Sequence, residues 1–150
     1  MADSPFVVTL TAQNFRQVVI EGSFKRPVLV DFWADWCAPC RALMPVLAKL
    51  ADAYDGKFLL GKLDTEAERE LAAQFGIRSL PTVQLFKDGK PVDQFMGALP
   101  EAQVRAFLDR HIPREADLLV ARAEALIGAG NLNDAAALIG QVRAAEPDHA

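Results

Sequence analysis

Cys37 and Cys40 are the residues of this chain best suited to chemistry, and they are its only two cysteines. They stand in Trp36-Cys37-Ala38-Pro39-Cys40, directly after an apolar run and directly before a helical pattern. A Cys-x-x-Cys at a helix start places both sulfurs on one face, one turn apart. The helix N-terminus offers unpaired N–H groups and a partial positive charge, and both favour a thiolate. Cys37 is therefore expected to attack a substrate disulfide. Cys40, expected to be the more buried, would resolve the mixed disulfide and release the reduced product. Pro39 suits the first turn, where a missing N–H costs nothing. The alternatives are a zinc site and a structural disulfide. Zinc needs about four ligands, and the chain has no second Cys pair, while its two His residues, His111 and His149, are remote from the motif. A disulfide closing so short a loop restrains little of the unfolded chain. No metal is expected.

A carboxylate, Asp31, interrupts the apolar run Val28 to Trp33. Burial raises a carboxyl pKa, so such a group can hold or pass a proton near neutrality. The other reading is a strand-end residue satisfied by nearby backbone. Lys62, in Gly61-Lys62-Leu63-Asp64, reads by itself as an exposed strand lysine.

The elements that must position these groups alternate. Val7 to Leu10 reads as a short strand. Gln13 to Glu21 carries Phe15, Val18 and Val19 at helical spacing, with Thr11 as a cap and Gly22 as a stop. Val28 to Trp33, bounded by Pro27, reads as a strand buried on both faces. The long helix after it places Leu43, Val46, Leu47, Leu50 and Tyr54 on one stripe, and Pro45 should kink it by removing the bond to Arg41. Phe58 to Asp64 reads as a strand and Glu68 to Phe75 as a helix closed by Gly76. Thr82 to Lys87 and Pro91 to Met96 flank Asp88-Gly89, a strong hairpin signal. Pro100 opens a last helix with Val104, Phe107 and Leu108 inward; that helix has no polar N-cap. The order βαβαβαββα implies an α/β fold, a mixed sheet covered on both faces with an antiparallel hairpin at one edge.

Composition fits this reading. Of 150 residues, 51% are hydrophobic and 24% charged, enough apolar surface for a core. Nine Gly and nine Pro exclude a collagen-like or low-complexity chain, and two Cys exclude a disulfide scaffold. A net charge of −4 argues against a nucleic-acid partner, and no apolar run is long enough for a bilayer. Met1-Ala2-Asp3-Ser4-Pro5 lacks a basic and apolar leader, so the expected compartment is the cytoplasm, where thiols are kept reduced.

Four segments carry a family resemblance: Val28-Leu29-Val30-Asp31-Phe32-Trp33-Ala34, Trp36-Cys37-Ala38-Pro39-Cys40-Arg41, Gly76-Ile77-Arg78-Ser79-Leu80-Pro81-Thr82 and Phe95-Met96-Gly97-Ala98. In this order they resemble thioredoxin over about residues 6–112. The resemblance implies the thioredoxin fold and protein-disulfide reduction through a redox-active Cys37–Cys40 disulfide with no bound cofactor. It implies electrons from NADPH through thioredoxin reductase, and protein disulfides as substrates. It implies a cis peptide at Pro81, the backbone before it pairing with substrate, and Asp31 taking the proton of Cys40 through water with Lys62 close by. Trp36, Leu80, Pro81, Met96, Gly97 and Ala98 would then form a shallow apolar surface around Cys37, with Ala38 and Pro39 beside it, suited to an extended peptide. The family usually has Gly where Ala38 stands; the methyl stiffens the turn and adds bulk beside Cys37. Asp35 slightly opposes a thiolate.

Composition breaks near Pro113: every aromatic residue lies between Phe6 and Phe107, and residues 114–150 are Ala-rich and acidic. The expected division is a catalytic domain over 1–112 and a helical hairpin over 113–150, with helices over Arg114 to Ala129 and Leu132 to Ala145 broken at Gly130-Asn131. The hairpin resembles one divergent tetratricopeptide repeat; the plainer reading is an ordinary αα-hairpin. A lone repeat cannot bury its apolar face, which suggests a chain continuing beyond Ala150. Such a fusion resembles the chaperedoxins, which implies a holdase or co-chaperone alternative with unfolded clients and a chaperonin as partners.

Overall fold

The computed structural model describes residues 4–113. The hairpin and repeat expected over 113–150 lie outside the described residues, apart from Pro113. Strand β1 (Val7–Thr9) is followed by a helical segment (Arg16–Glu21) that tightens into a 3₁₀ turn (Gly22–Phe24). Then come β2 (Val28–Trp33), α1 (Ala38–Ala53), β3 (Leu59–Asp64), α2 (Arg69–Gln74), β4 (Thr82–Lys87), β5 (Lys90–Met96) and α3 (Glu101–Asp109). This is the thioredoxin-fold α/β order that the sequence predicts.

The strands form one mixed sheet in the order β1-β3-β2-β4-β5. β3 runs parallel to both β1 and β2, while β4 runs antiparallel to both β2 and β5. β2 is thus the central strand, which explains why its sequence is nearly all apolar. Side chains alternate across a strand. Val28, Val30 and Phe32 join Phe15, Val19, Leu63 and Phe86 in one core layer. Leu29, Asp31 and Trp33 point to the opposite side, and Trp33 lines a cavity whose other wall is α1. Leu43, Leu47 and Leu50 on the predicted stripe of α1 are fully or almost fully buried. Each such side chain contributes about 1.5–3 kcal/mol by leaving water.

Local signals act as expected at most element ends. Thr11 and Asn14 brace the turn that precedes the first helical segment, whose N-cap is Phe15 rather than Thr11: Asn14 N–H donates to Thr11 Oγ1 (3.2 Å) and Thr11 N–H donates to Asn14 Oδ1 (2.8 Å). α2 ends at Gly76, whose φ of +65° few side chains tolerate. Its N–H reaches the Ala73 carbonyl and the Ile77 N–H reaches the Ala72 carbonyl, the Schellman arrangement. Asp88 and Gly89, both with positive φ, turn β4 into β5. Pro45 lies inside α1, which runs unbroken from Ala38 to Ala53; the Arg41 carbonyl loses its intrahelical donor there. The first helical segment ends at Glu21 with Gly22 as its C-cap, where the sequence predicts; the φ of Gly22, −63°, is right-handed, so the chain winds on as a 3₁₀ turn to Phe24. The segment before it closes i→i+5 bonds, with Gly22 N–H on the Gln17 carbonyl. α3 starts at Glu101, so Pro100 precedes the helix, and its carbonyl accepts from Gln103 and Val104.

Candidate active site

The central strand delivers the chain to the motif. Past Trp33 the backbone turns, held by Cys37 N–H donating to the Ala34 carbonyl (3.1 Å). Cys37 occupies the N-cap of α1 with extended backbone (φ −92°, ψ 104°), and its Sγ accepts from the Cys40 N–H at 3.2 Å. This is the position where a side-chain acceptor satisfies an orphan donor of the first turn. Ala38 and Pro39 fill the next two positions, both exposed. Cys37 and Cys40 are disulfide-bonded with Cα atoms 5.2 Å apart. Cys37 keeps 4% of its surface and Cys40 none, the order of burial that the sequence predicts. Arg41 binds the Asp35 carbonyl and braces the turn.

Asp31 lies on the α1 side of β2. It is fully buried, and neither Oδ1 nor Oδ2 has a hydrogen-bond partner. No other charged residue among the described residues is buried. Burial pushes its carboxyl up to about 7, against the downward pull of the Lys62 ammonium. Lys62 is its register partner on β3. Lys62 also lines a cavity of about 330 Å³ with Trp33, Asp35, Arg41, Met44 and Pro45. Far from being a plain surface lysine, it stands between a buried carboxyl and a water-accessible recess.

The remaining predicted residues meet at the sheet end next to the motif. The Leu80–Pro81 peptide is cis. Gly97 N–H donates to the Pro81 carbonyl (3.0 Å), and Met96 pairs with Thr82 across the β4–β5 ladder. Trp36 and Leu80 border one open groove of about 300 Å³. Trp36 and Met96 are 68% and 56% exposed, unusual for such large apolar side chains and expected of a docking surface. Ala98, two residues after Met96, is exposed.

Sequence reasoning missed the second ring of contacts. Ser79 Oγ donates to Met96 Sδ (3.2 Å), Trp36 Nε1 donates to Glu66 Oε2 (3.5 Å), and Arg78 lines the groove. Ser79 and Arg78 stand inside a recognised motif, but Glu66 carries no local signal. Among the described residues no group of three His, Cys, Asp or Glu side chains could hold a metal ion, and no helix is long and apolar enough to cross a membrane.

A disulfide that begins at a helix N-cap, on an α/β sheet with a cis proline directly before β4, defines a thiol–disulfide oxidoreductase. The thioredoxin family model matches residues 6–110. The chain is 45% identical over 102 residues to a thioredoxin of Chlorobaculum thiosulfatiphilum, covering 68% of this chain and 93% of that one. It is 48% identical over 101 residues to a thioredoxin of Alicyclobacillus acidocaldarius subsp. acidocaldarius, covering 67% and 93%. It is 42% identical over 109 residues to thioredoxin C-2 of Corynebacterium nephridii, covering 73% and 99%. The chain belongs to the thioredoxin family and is a protein-disulfide reductase.

Proposed function

We propose that the dithiol form reduces protein disulfides through Cys37 as nucleophile and Cys40 as resolving thiol. The observation that carries this is the N-cap geometry: the Cys40 N–H already points at Cys37 Sγ, 3.2 Å away. A thiolate at that atom gains the same donor and the positive end of α1.

The Cys37 thiolate attacks one sulfur of the substrate disulfide. A Cys37–substrate disulfide forms, and the second substrate sulfur leaves as a thiolate and takes a proton from water. Cys40 then gives its proton to ionised Asp31, directly or through water, and attacks Cys37 Sγ. The Cys37–Cys40 disulfide forms and the first substrate sulfur leaves. Asp31 returns its proton toward the departing thiolate. Two electrons have moved from the protein dithiol to the substrate. They are replaced from NADPH through a thioredoxin reductase, in a compartment such as the cytoplasm where thiols are kept reduced. A pKa near 7 suits a group that must both accept and return a proton at neutral pH. Lys62 keeps that pKa from rising further. Trp36, Ala38, Pro39, Leu80, Pro81, Met96, Gly97 and Ala98 form the docking face, where an extended substrate segment lies with its cysteine over Cys37. The holdase reading rests on residues 114–150 and draws no support from the described residues.

The test is reductase-coupled reduction of a protein disulfide by the wild type and Cys37→Ser. The variant should lose essentially all turnover; equal rates would overturn the proposed chemistry.

A further inference from the structure

The groove beside the redox pair has a charge that the proposed chemistry does not use. It is walled by Trp36, Ile77, Ser79 and Leu80, and Arg78 is the one ionised side chain among its lining residues. Arg78 is exposed and takes part in none of the ion pairs of the described residues. The acid at the Trp36 indole, Glu66, is already held by Arg69 at 3.1 Å. Asp35 and Arg41, the charges flanking the motif, line the separate cavity on the Lys62 side. The groove therefore presents an aromatic ring, aliphatic walls and one unneutralised guanidinium.

We propose that Arg78 is a specificity-determining residue that favours substrate segments carrying a carboxylate side chain close to the attacked cysteine. The proposal rests on the reading of Cys37 as nucleophile and of this groove as part of the docking face. A Glu or Asp of the substrate laid along the groove meets a cation that forks toward carboxylates, and a Lys or Arg there meets repulsion. The pair is solvent-exposed, so the discrimination is modest: about two- to fivefold in kcat/KM at low salt. It falls as ionic strength rises. Because the charge acts on docking, the difference belongs in KM more than in kcat.

The experiment uses pairs of disulfide-linked peptides identical except for Glu or Lys, placed in turn two residues before and two residues after the attacked cysteine. The wild type should reduce the Glu peptide about threefold faster at one of the two positions. Arg78→Gln should bring the ratio close to one, Arg78→Glu should invert it, and high salt should flatten the wild-type ratio. A Glu-to-Lys ratio that is the same in wild type, Arg78→Gln and Arg78→Glu at both positions overturns the proposal. If the wild type reduces none of the peptides while Cys37→Ser behaves like wild type on a protein disulfide, the fault lies in the nucleophile assignment instead.

Discussion

Asp31 and Lys62 stand opposite each other across the β2–β3 ladder, one fully buried and one reaching a water-accessible recess. Burial raises the titration of the acid and the ammonium lowers it, and burial wins, leaving the carboxyl at about 7. A carboxylate with no hydrogen bond to either oxygen is a costly thing to place in a core. Its cost appears as pH dependence.

The sign follows from the two states. The unfolded acid titrates near 3.8 and the folded one near 7, so the folded chain holds the proton more tightly. Stability from this group is complete below about pH 4 and is lost as pH rises through 7. Three pKa units correspond to about 4 kcal/mol. Urea melts should therefore show the stability of Asp31→Asn rising relative to wild type by up to about 4 kcal/mol between pH 4 and pH 8. Parallel curves for the two proteins would count against the buried-acid assignment.

Lys62→Met removes the one influence that holds Asp31 down. The Asp31 titration should move upward, whether followed by the carboxyl resonance or by the pH profile of disulfide reduction. Lys62→Arg should stay near wild type. An unmoved midpoint in Lys62→Met would mean that the register pair does not communicate.

Cys40→Ser leaves Cys37 at the N-cap but removes the resolving sulfur. Turnover should stop at the mixed disulfide, and a Cys37–substrate adduct should accumulate, visible by mass spectrometry under non-reducing conditions. Release of free substrate thiol at the wild-type rate would refute the division of labour between the two cysteines.

Gly61 sits in β3 beneath Leu10, and a Cβ there would come within 2.6 Å of Leu10 Cδ1 and 2.9 Å of Leu10 Cγ. Leu10 is buried, so it has little room to give. Gly61→Ala should lose about 1–3 kcal/mol through overpacking. Gly61→Ala combined with Leu10→Ala should cost less than the sum of the two single changes, as denaturation midpoints of all three variants can show.

The redox motif was legible because its information is local: two thiols, a turn and a helix start within a few residues. Asp31 was legible for a related reason, a charge inside an apolar run. The β4–β5 hairpin announced itself through Asp88-Gly89. Lys62 was legible only through the family resemblance, since its meaning depends on the register between two strands that are distant in sequence. Glu66 and Met96 gained their partners, Trp36 and Ser79, only through chain crossings that no short window contains. Gly22 marked the right boundary, but no residue pattern announced that the winding changes there from i→i+5 bonds to a 3₁₀ turn.

The docking face and the redox pair hang from different parts of the sheet. Cys37, Cys40 and Asp31 belong to the central strand and the helix behind it. Met96 ends β5 and Gly97 follows it directly; β5 is an edge strand that is largely exposed and carries a register irregularity opposite Leu85 and Phe86. Edge strands open by local fluctuation before central ones do. An excursion that peels β5 away would break the Gly97–Pro81 bond and dissolve the platform for substrate, yet leave the sulfur couple in its core. Amide exchange in this protein should accordingly be layered, with Gly97 exchanging well before Val30 and Phe32. Binding competence can then be lost and regained many times within the lifetime of one folded molecule, while its capacity to carry two electrons stays intact.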